Sequence, residues 1–210
     1  MKKIVILGAG GLGRDVQWLI ERINKNNVTW KILGYIDDGI PKGRIVDGYE
    51  VLGGIEHLEQ YNEPIYVACA VGAAKTRKKI IEKLSKNEMV RFPNLIDPSV
   101  EMSDLIQWGK GNIVCAGTIL TVNIRIEDFC IITVACTIGH DDVLDSFVTV
   151  YPSVNISGNV HIGQCSELGT GTQIIQGIEI KEESIIGAGS VVVKNIEESG
   201  TYVGVPVKKI

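Results

Sequence analysis

Two hydrophobic rhythms divide this chain. From residue 102 to residue 192 every sixth position is apolar, beginning Met102, Trp108, Val114, Leu120 and ending Ile174, Ile180, Ile186, Val192. At the chain's own apolar frequency, sixteen such positions in a row would arise by chance roughly a few times per million, so the period carries structural information. Six is neither the 3.6 of an α-helix nor the 2.0 of an ordinary strand. It suits short strands meeting at corners of about 120°, three to a turn, each pointing one large aliphatic side chain inward: a hexapeptide parallel β-helix. Glycine follows the aliphatic at 109, 139, 163, 169 and 187, where a corner tolerates little side chain or needs positive φ. Four places after the aliphatic stand compact residues, among them Thr118, Cys130, Cys136, Val148, Ser166 and Thr172. They predict a second interior column, which Asn112 and Asp142 are expected to break. Eighteen residues close a coil, so the repeat supplies about five coils.

Residues 1–97 follow another pattern. An apolar strand at Lys3–Leu7 runs into Gly8-Ala-Gly-Gly-Leu-Gly13 and then a helical stretch from Arg14 to Asn24. A second strand, Ile32–Ile36, ends in Asp37–Asp38; a third spans Ile65–Val71, and a basic helix follows from Thr76 to Lys86. This βαβ order predicts a small parallel sheet with helices on its faces. Pro93 and Pro98 bracket the passage into the repeat. The expected fold is therefore α/β plus all-β: a parallel βαβαβ domain over 1–97, a left-handed parallel β-helix over 98–195, and a C-terminal tail over 196–210.

Gly8-x-Gly10-x-x-Gly13 after a strand, with an acid after the next strand, matches the dinucleotide fingerprint. Glycines let a phosphate reach backbone N–H groups at a helix N-terminus, and a carboxylate accepts ribose hydroxyls. About 95 residues supply only one βαβαβ half, whereas NAD needs two. A mononucleotide or nucleotide-linked sugar fits better; the alternative is a tight turn that binds nothing.

Composition narrows the function classes. A net charge of −4 offers no field for nucleic acid or an anionic membrane, and no apolar run has the length of a membrane span. The five cysteines form no Cys-x-x-Cys pair, which argues against zinc and disulfides and points to a reducing cytoplasm. The 24 glycines and 6% aromatics suit a fold of tight turns around an aliphatic interior.

Only three histidines can serve as a base near neutral pH. His57 lies in a polar stretch, and His161 precedes an inward isoleucine and so faces solvent. His140 sits two residues after an inward aliphatic, just past a corner glycine. One coil later comes Gly158, expected to leave an open notch above the imidazole for a thioester. Asp141 is the adjacent carboxylate that could orient the ring, although neighbouring strand residues normally face opposite ways, so the pairing requires corner geometry. Two histidines in the repeat cannot form a three-imidazole zinc site, and no metal is expected. No cysteine has the setting of a covalent nucleophile.

Gly8–Gly13, Ile36-Asp-Asp38, Val71–Lys79, Gly139-His-Asp141, Asn155-Ile-Ser-Gly-Asn159 and Val203-Gly-Val-Pro206 together resemble the bacterial sugar acetyltransferases. That family includes UDP-4-amino-sugar N-acetyltransferases and sialic acid O-acetyltransferase-like proteins. The resemblance covers essentially the whole chain. It implies a homotrimer, acetyl-CoA as co-substrate, His140 as proton acceptor and Asp141 as its support. It places a nucleotide sugar against Gly10, Gly11, Leu12, Asp37, Asp38 and Gly72, and acetyl-CoA past Thr149, Gly158, Thr170 and Ala188. Relatives often carry histidine in place of Leu12 and of Thr149.

The expected reaction is direct acetyl transfer to the amine of a nucleotide-linked sugar, with a backbone N–H around Gly158 facing the oxyanion. O-acetylation of a sugar hydroxyl, as on sialic acid, needs the same base and stays open. A non-catalytic trimeric scaffold is the alternative from another class.

Overall fold

A computed structural model describes residues 1–210. The chain forms two compact units, Met1–Gly72 with Thr76–Pro98, and Ala73–Lys75 with Ser99–Ile210.

The first unit is built on strand β1 (Lys2–Leu7), whose last four residues are buried, as expected for a strand covered on both faces. Helix α1 (Gly11–Asn26) follows, then β2 (Trp30–Ile36), β3 (Ile45–Val46), β4 (Tyr49–Gly53), the short α2 (Ile55–Glu59), β5 (Ile65–Cys69), α3 (Ala74–Leu84) and β6 (Val90–Arg91). The sheet order is β3-β4-β2-β1-β5-β6, parallel except for the β3–β4 hairpin. The three strands read from the sequence are its centre. The hairpin, α2 and β6 carry too few periodic residues to be recognised locally. Arg22 on α1 donates to both carboxylate oxygens of buried Asp97, at 2.6 and 2.9 Å, which ties the helix to the end of the unit.

The second unit is a coil of two-residue strands in three parallel sheets, each strand pairing with the one 18 residues on. Sheet one carries the inward residues Val114, Ile132, Val150, Leu168 and Ile186; sheet two continues Leu120, Ile138, Ile156, Ile174 and Val192; sheet three has Ile126, Leu144, Ile162 and Ile180. All of these are buried. The two earliest members of the sixfold series differ. Met102 is 48% exposed and Trp108 is half-buried, because the first coil has no coil beneath it to complete its interior.

The corners obey a second sixfold rule. From residue 111 to residue 189, every sixth residue has φ between 57° and 78°, whether glycine, asparagine, aspartate or even phenylalanine. This left-handed turn lies two residues beyond the glycines at 109, 139, 163, 169 and 187. Those glycines answer to space instead: a Cβ on Gly139 or Gly163 would lie 2.5 or 2.4 Å from a backbone nitrogen of the next coil.

Asn112 and Asp142 do not break the interior column; both are fully buried in it. Asn112 Oδ1 accepts the Cys130 N–H at 2.7 Å, and Asp142 Oδ1 accepts the Val160 N–H at 2.8 Å. Ser166 does the same for Ser184 at 3.2 Å. Polar side chains at these positions satisfy corner N–H groups one coil on, groups that burial would otherwise leave unpaired. After residue 195, where a tail was expected, Thr201–Val203 pairs with Ile185–Ile186 and then antiparallel with Lys208–Lys209. The C-terminal segment thus extends sheet one.

Candidate active site

The corner between sheets two and three, residues 139–142, carries the candidate chemistry. His140 Nδ1 lies 2.8 Å from Asp141 Oδ2, and both side chains are about half exposed, at 51% and 53%. Consecutive residues on a straight strand would point apart. At this corner Asp141 adopts φ 61°, which swings its carboxylate back to the imidazole. An ionised carboxylate only accepts hydrogen bonds, so this contact puts a proton on Nδ1, and in the neutral ring Nε2 is then the nitrogen with the lone pair. Asp141 is held below the usual carboxylate range, chiefly by the imidazole and next by the side-chain amide of Asn123. Asn123 Nδ2 donates to Asp141 Oδ1 at 3.2 Å. Asn123 was not singled out in the sequence, although its position 18 residues before Asp141 was the available signal.

Gly158 lies directly against this ring. A Cβ there would sit 2.4 Å from Nε2 and 2.5 Å from Cε1. The expected open notch is therefore filled by the imidazole itself, and the absent side chain makes room for the ring. Behind the pair, inside the coil, burial pushes the Asp142 carboxyl up to about 7. The other two histidines are exposed: His161 Nε2 is 3.1 Å from Asp145 Oδ1, and His57 packs edge-on against Tyr61. All five cysteines are buried, and burial raises the Cys69 thiol to about 12 and also raises that of Cys136. Neither of these two has the low pKa of a nucleophilic thiolate.

In the first unit the glycines divide by role. A Cβ on Gly13 would lie 1.9 Å from the Gly8 carbonyl oxygen, and one on Gly8 (φ 98°) would lie 2.8 Å from that of Ala70. These two close the strand–helix turn. Gly10 and Gly11 are exposed, with nothing within 4 Å of an added Cβ. Gly10 is the N-cap of α1 and offers no side chain, so the first N–H groups of a 16-residue helix face outward beside Leu12. They border a 460 Å³ cleft that also takes in Arg14, Arg44 and Asp47. Neither arginine was flagged in the sequence; Arg14 immediately follows the last glycine of the fingerprint, and Arg44 belongs to the unrecognised hairpin.

Asp37 and Asp38 line a smaller, mostly apolar cleft of 170 Å³ with Leu7, Ile36, Val71 and Ile80. Their carboxylates already accept backbone hydrogen bonds. Asp37 takes the N–H groups of Ala9 and Gly39, and Asp38 that of Ile55, each at 2.8 Å. Gly72 borders neither cleft: its carbonyl accepts from the buried Arg77 guanidinium at 2.9 Å, as does that of Val71 at 2.6 Å.

The remaining predicted contacts separate. Thr149 is fully buried, so it has no surface to give a ligand; of its partners on sheet one, Ile131 is buried too and Glu167 is half-buried. Thr170 and Ala188 are exposed on adjacent coils, but at the corner between sheets one and two. Within one chain they lie at a different corner from His140 and Gly158. No group of three or more His, Cys, Asp or Glu side chains could hold a metal ion. No helix is long and apolar enough to cross a membrane.

Comparison with known proteins bears on the whole arrangement. The family model of the PglD N-terminal domain matches residues 3–84. The acetyltransferase domain of PglB from Neisseria gonorrhoeae is 30% identical, with each chain covered completely and a TM-score of 0.92. The chain belongs to the PglD-type sugar acetyltransferases. The fold shared with that domain is a parallel-sheet domain followed along the chain by a left-handed parallel β-helix. The Neisseria domain has also been solved in complex with acetyl coenzyme A, with a TM-score of 0.90 over 100% of this chain and 99% of that one. PerB from Caulobacter crescentus, solved with CoA and GDP-perosamine, is 28% identical over 100% of this chain and 98% of its own, with a TM-score of 0.87. GDP-perosamine N-acetyltransferase of Escherichia coli O157:H7 is 26% identical over 189 residues, 88% of this chain and 82% of that protein.

Proposed function

We propose that this PglD-type acetyltransferase moves an acetyl group from acetyl-CoA to the amine of a nucleotide-linked amino sugar, with His140 as general base. The observation that carries the reading is the half-exposed His140–Asp141 pair, its ring seated on Gly158. Asp141 Oδ2 holds the Nδ1 proton, so Nε2 is the free acceptor. The sugar amine attacks the thioester carbonyl and gives its proton to Nε2, forming the C–N bond. The tetrahedral intermediate then breaks its C–S bond, and the imidazolium returns that proton to the leaving thiolate. The Gly158 N–H is the candidate donor to the oxyanion. No step passes through a covalent enzyme intermediate, in keeping with five buried cysteines.

The nucleotide's diphosphate suits the open N-terminus of α1, where Gly10 and Gly11 admit it and Arg14 and Arg44 line the cleft. A base or ribose suits the smaller cleft beside Asp37 and Asp38, whose spare lone pairs accept hydroxyl or amino protons. A trimer supplies what one chain lacks. Thr170 and Ala188 occupy a different corner from His140, so an acetyl-CoA site using both needs two neighbouring β-helices. Exposed Ile119, Val122, Val134 and Ile175 provide apolar surface on those coils for such contacts.

The test is incubation with labelled acetyl-CoA and three acceptors: GDP-perosamine, a UDP-linked 4-amino sugar and free sialic acid. Label on a nucleotide amino sugar is expected. Label on sialic acid alone would replace N-acetylation by O-acetylation, and no label on any acceptor would remove the reading.

A further inference from the structure

Four left-handed residues stack at the corner between sheets two and three, and three of them, Asn123, Asp141 and Asn159, carry side chains, with φ of 59°, 61° and 58°; the fourth is Gly177. Asn and Asp tolerate this conformation better than other residues with a Cβ, so local backbone preference alone would account for their presence. The side chains add a second constraint. Asp141 is half exposed, yet both its oxygens are engaged: Oδ2 with His140 Nδ1 at 2.8 Å, and Oδ1 with Asn123 Nδ2 at 3.2 Å. The backbone reinforces this geometry. Asp141 N–H donates to the Val122 carbonyl at 3.0 Å, and Asn159 N–H donates to the His140 carbonyl at 2.7 Å. The corner is thereby held from the coil below and the coil above.

A carboxylate at a solvent-facing corner would otherwise rotate about its terminal torsion, which is broad and nearly two-fold. Rotation would exchange or lose the oxygen that faces the ring. An amide anchored one coil away removes that freedom, and its orientation is unambiguous because a carboxylate can bond only to the nitrogen end. We propose that Asn123 is a positioning residue for acetyl transfer, locking the Asp141 carboxylate so that His140 keeps its proton on Nδ1 and its lone pair on Nε2. This rests on the assignment of His140 as the base. Asn123 touches neither the ring nor the reacting atoms, and acts only through Asp141.

Two variants separate the amide from the backbone. Asn123→Gly keeps the positive φ without strain and removes the donor; Asn123→Asp keeps the shape but turns the donor into a second carboxylate. Loss of one hydrogen bond that orients a catalytic group should lower kcat about three- to tenfold in Asn123→Gly, with KM for both substrates within about twofold. Asn123→Asp should lose more, since like charges then face each other. The assay uses acetyl-CoA with GDP-perosamine as the acceptor probe and follows CoA release. In parallel, carboxyl-carbon NMR follows the titration of Asp141 in the free protein, and imidazole-nitrogen NMR follows the tautomer of His140. Asp141 should titrate higher in both variants, and the Nδ1–H tautomer should lose population. An unmoved Asp141 titration together with an unchanged tautomer in Asn123→Gly would overturn the proposal. The NMR readouts need no acceptor, so they decide the role of Asn123 even if no nucleotide amino sugar is acetylated.

Discussion

Asp142 offers the sharpest physical test, because a carboxyl has been placed inside a β-helix at a position where the neighbouring coils carry Ile124, Val160 and Ile178. Its side chain is fully buried, one oxygen accepts the Val160 N–H at 2.8 Å, and the other has no hydrogen-bond partner. Burial is the dominant cause of its rise from 3.8 to about 7, and the N–H groups of Val160 and Gly139 oppose it. In the unfolded chain the same group titrates near its ordinary value. The folded form therefore binds the proton more tightly, and its contribution to stability is full below pH 4 and lost as the pH rises through about 7. One proton taken up on folding changes stability by about 1.4 kcal/mol per pH unit across that window. With part of the effect screened by water at the neighbouring exposed corner, the loss comes to roughly 2–4 kcal/mol. Asp142→Asn keeps the acceptor for Val160 and cannot ionise. Compared with the parent at equal protein concentration, it should be similar or slightly weaker at pH 4.5 and stronger at pH 8. The assay is urea unfolding followed by circular dichroism between those limits. A stability difference that does not change with pH would show that the buried carboxyl is not neutral in the folded state, and the account of the interior column would fail with it.

Three further outcomes follow from the site. His140→Ala should lower kcat about 10²–10⁴-fold without unfolding the coil, since the ring is half exposed; near-normal turnover in a CoA-release assay would remove it as the base. Gly158→Ala places a methyl group 2.4 Å from the present position of Nε2, so the ring must move. A displacement of that size should cost about 10²-fold in kcat with little change in melting temperature, and a fully active variant would contradict the contact. Arg14→Ala and Arg44→Ala should each raise KM for the nucleotide sugar about tenfold or more, leaving KM for acetyl-CoA unchanged; a rise in the acetyl-CoA value instead would move the diphosphate elsewhere.

The sixfold spacing was enough to foresee the coil, because within residues 101–192 each strand repeats the same burial requirement and its hydrogen-bond partner lies 18 residues away. From that register came the pairing of position 140 with 158, and the fingerprint glycines marked a strand–helix turn by the same kind of local necessity. Spacing cannot report the sign of φ, and it was the left-handed turn at Asp141 that brought a sequence neighbour onto the imidazole. Nor does spacing reveal what a side chain meets after packing. Gly158 is occupied by the ring instead of standing open, Thr149 is closed off on its sheet, and Asp37 spends its carboxylate on the glycine loop. The repeat determined the scaffold because short-range geometry recurs in every coil; the individual contacts of the site arise once, from side chains meeting across coils, and only the assembled structure decides them.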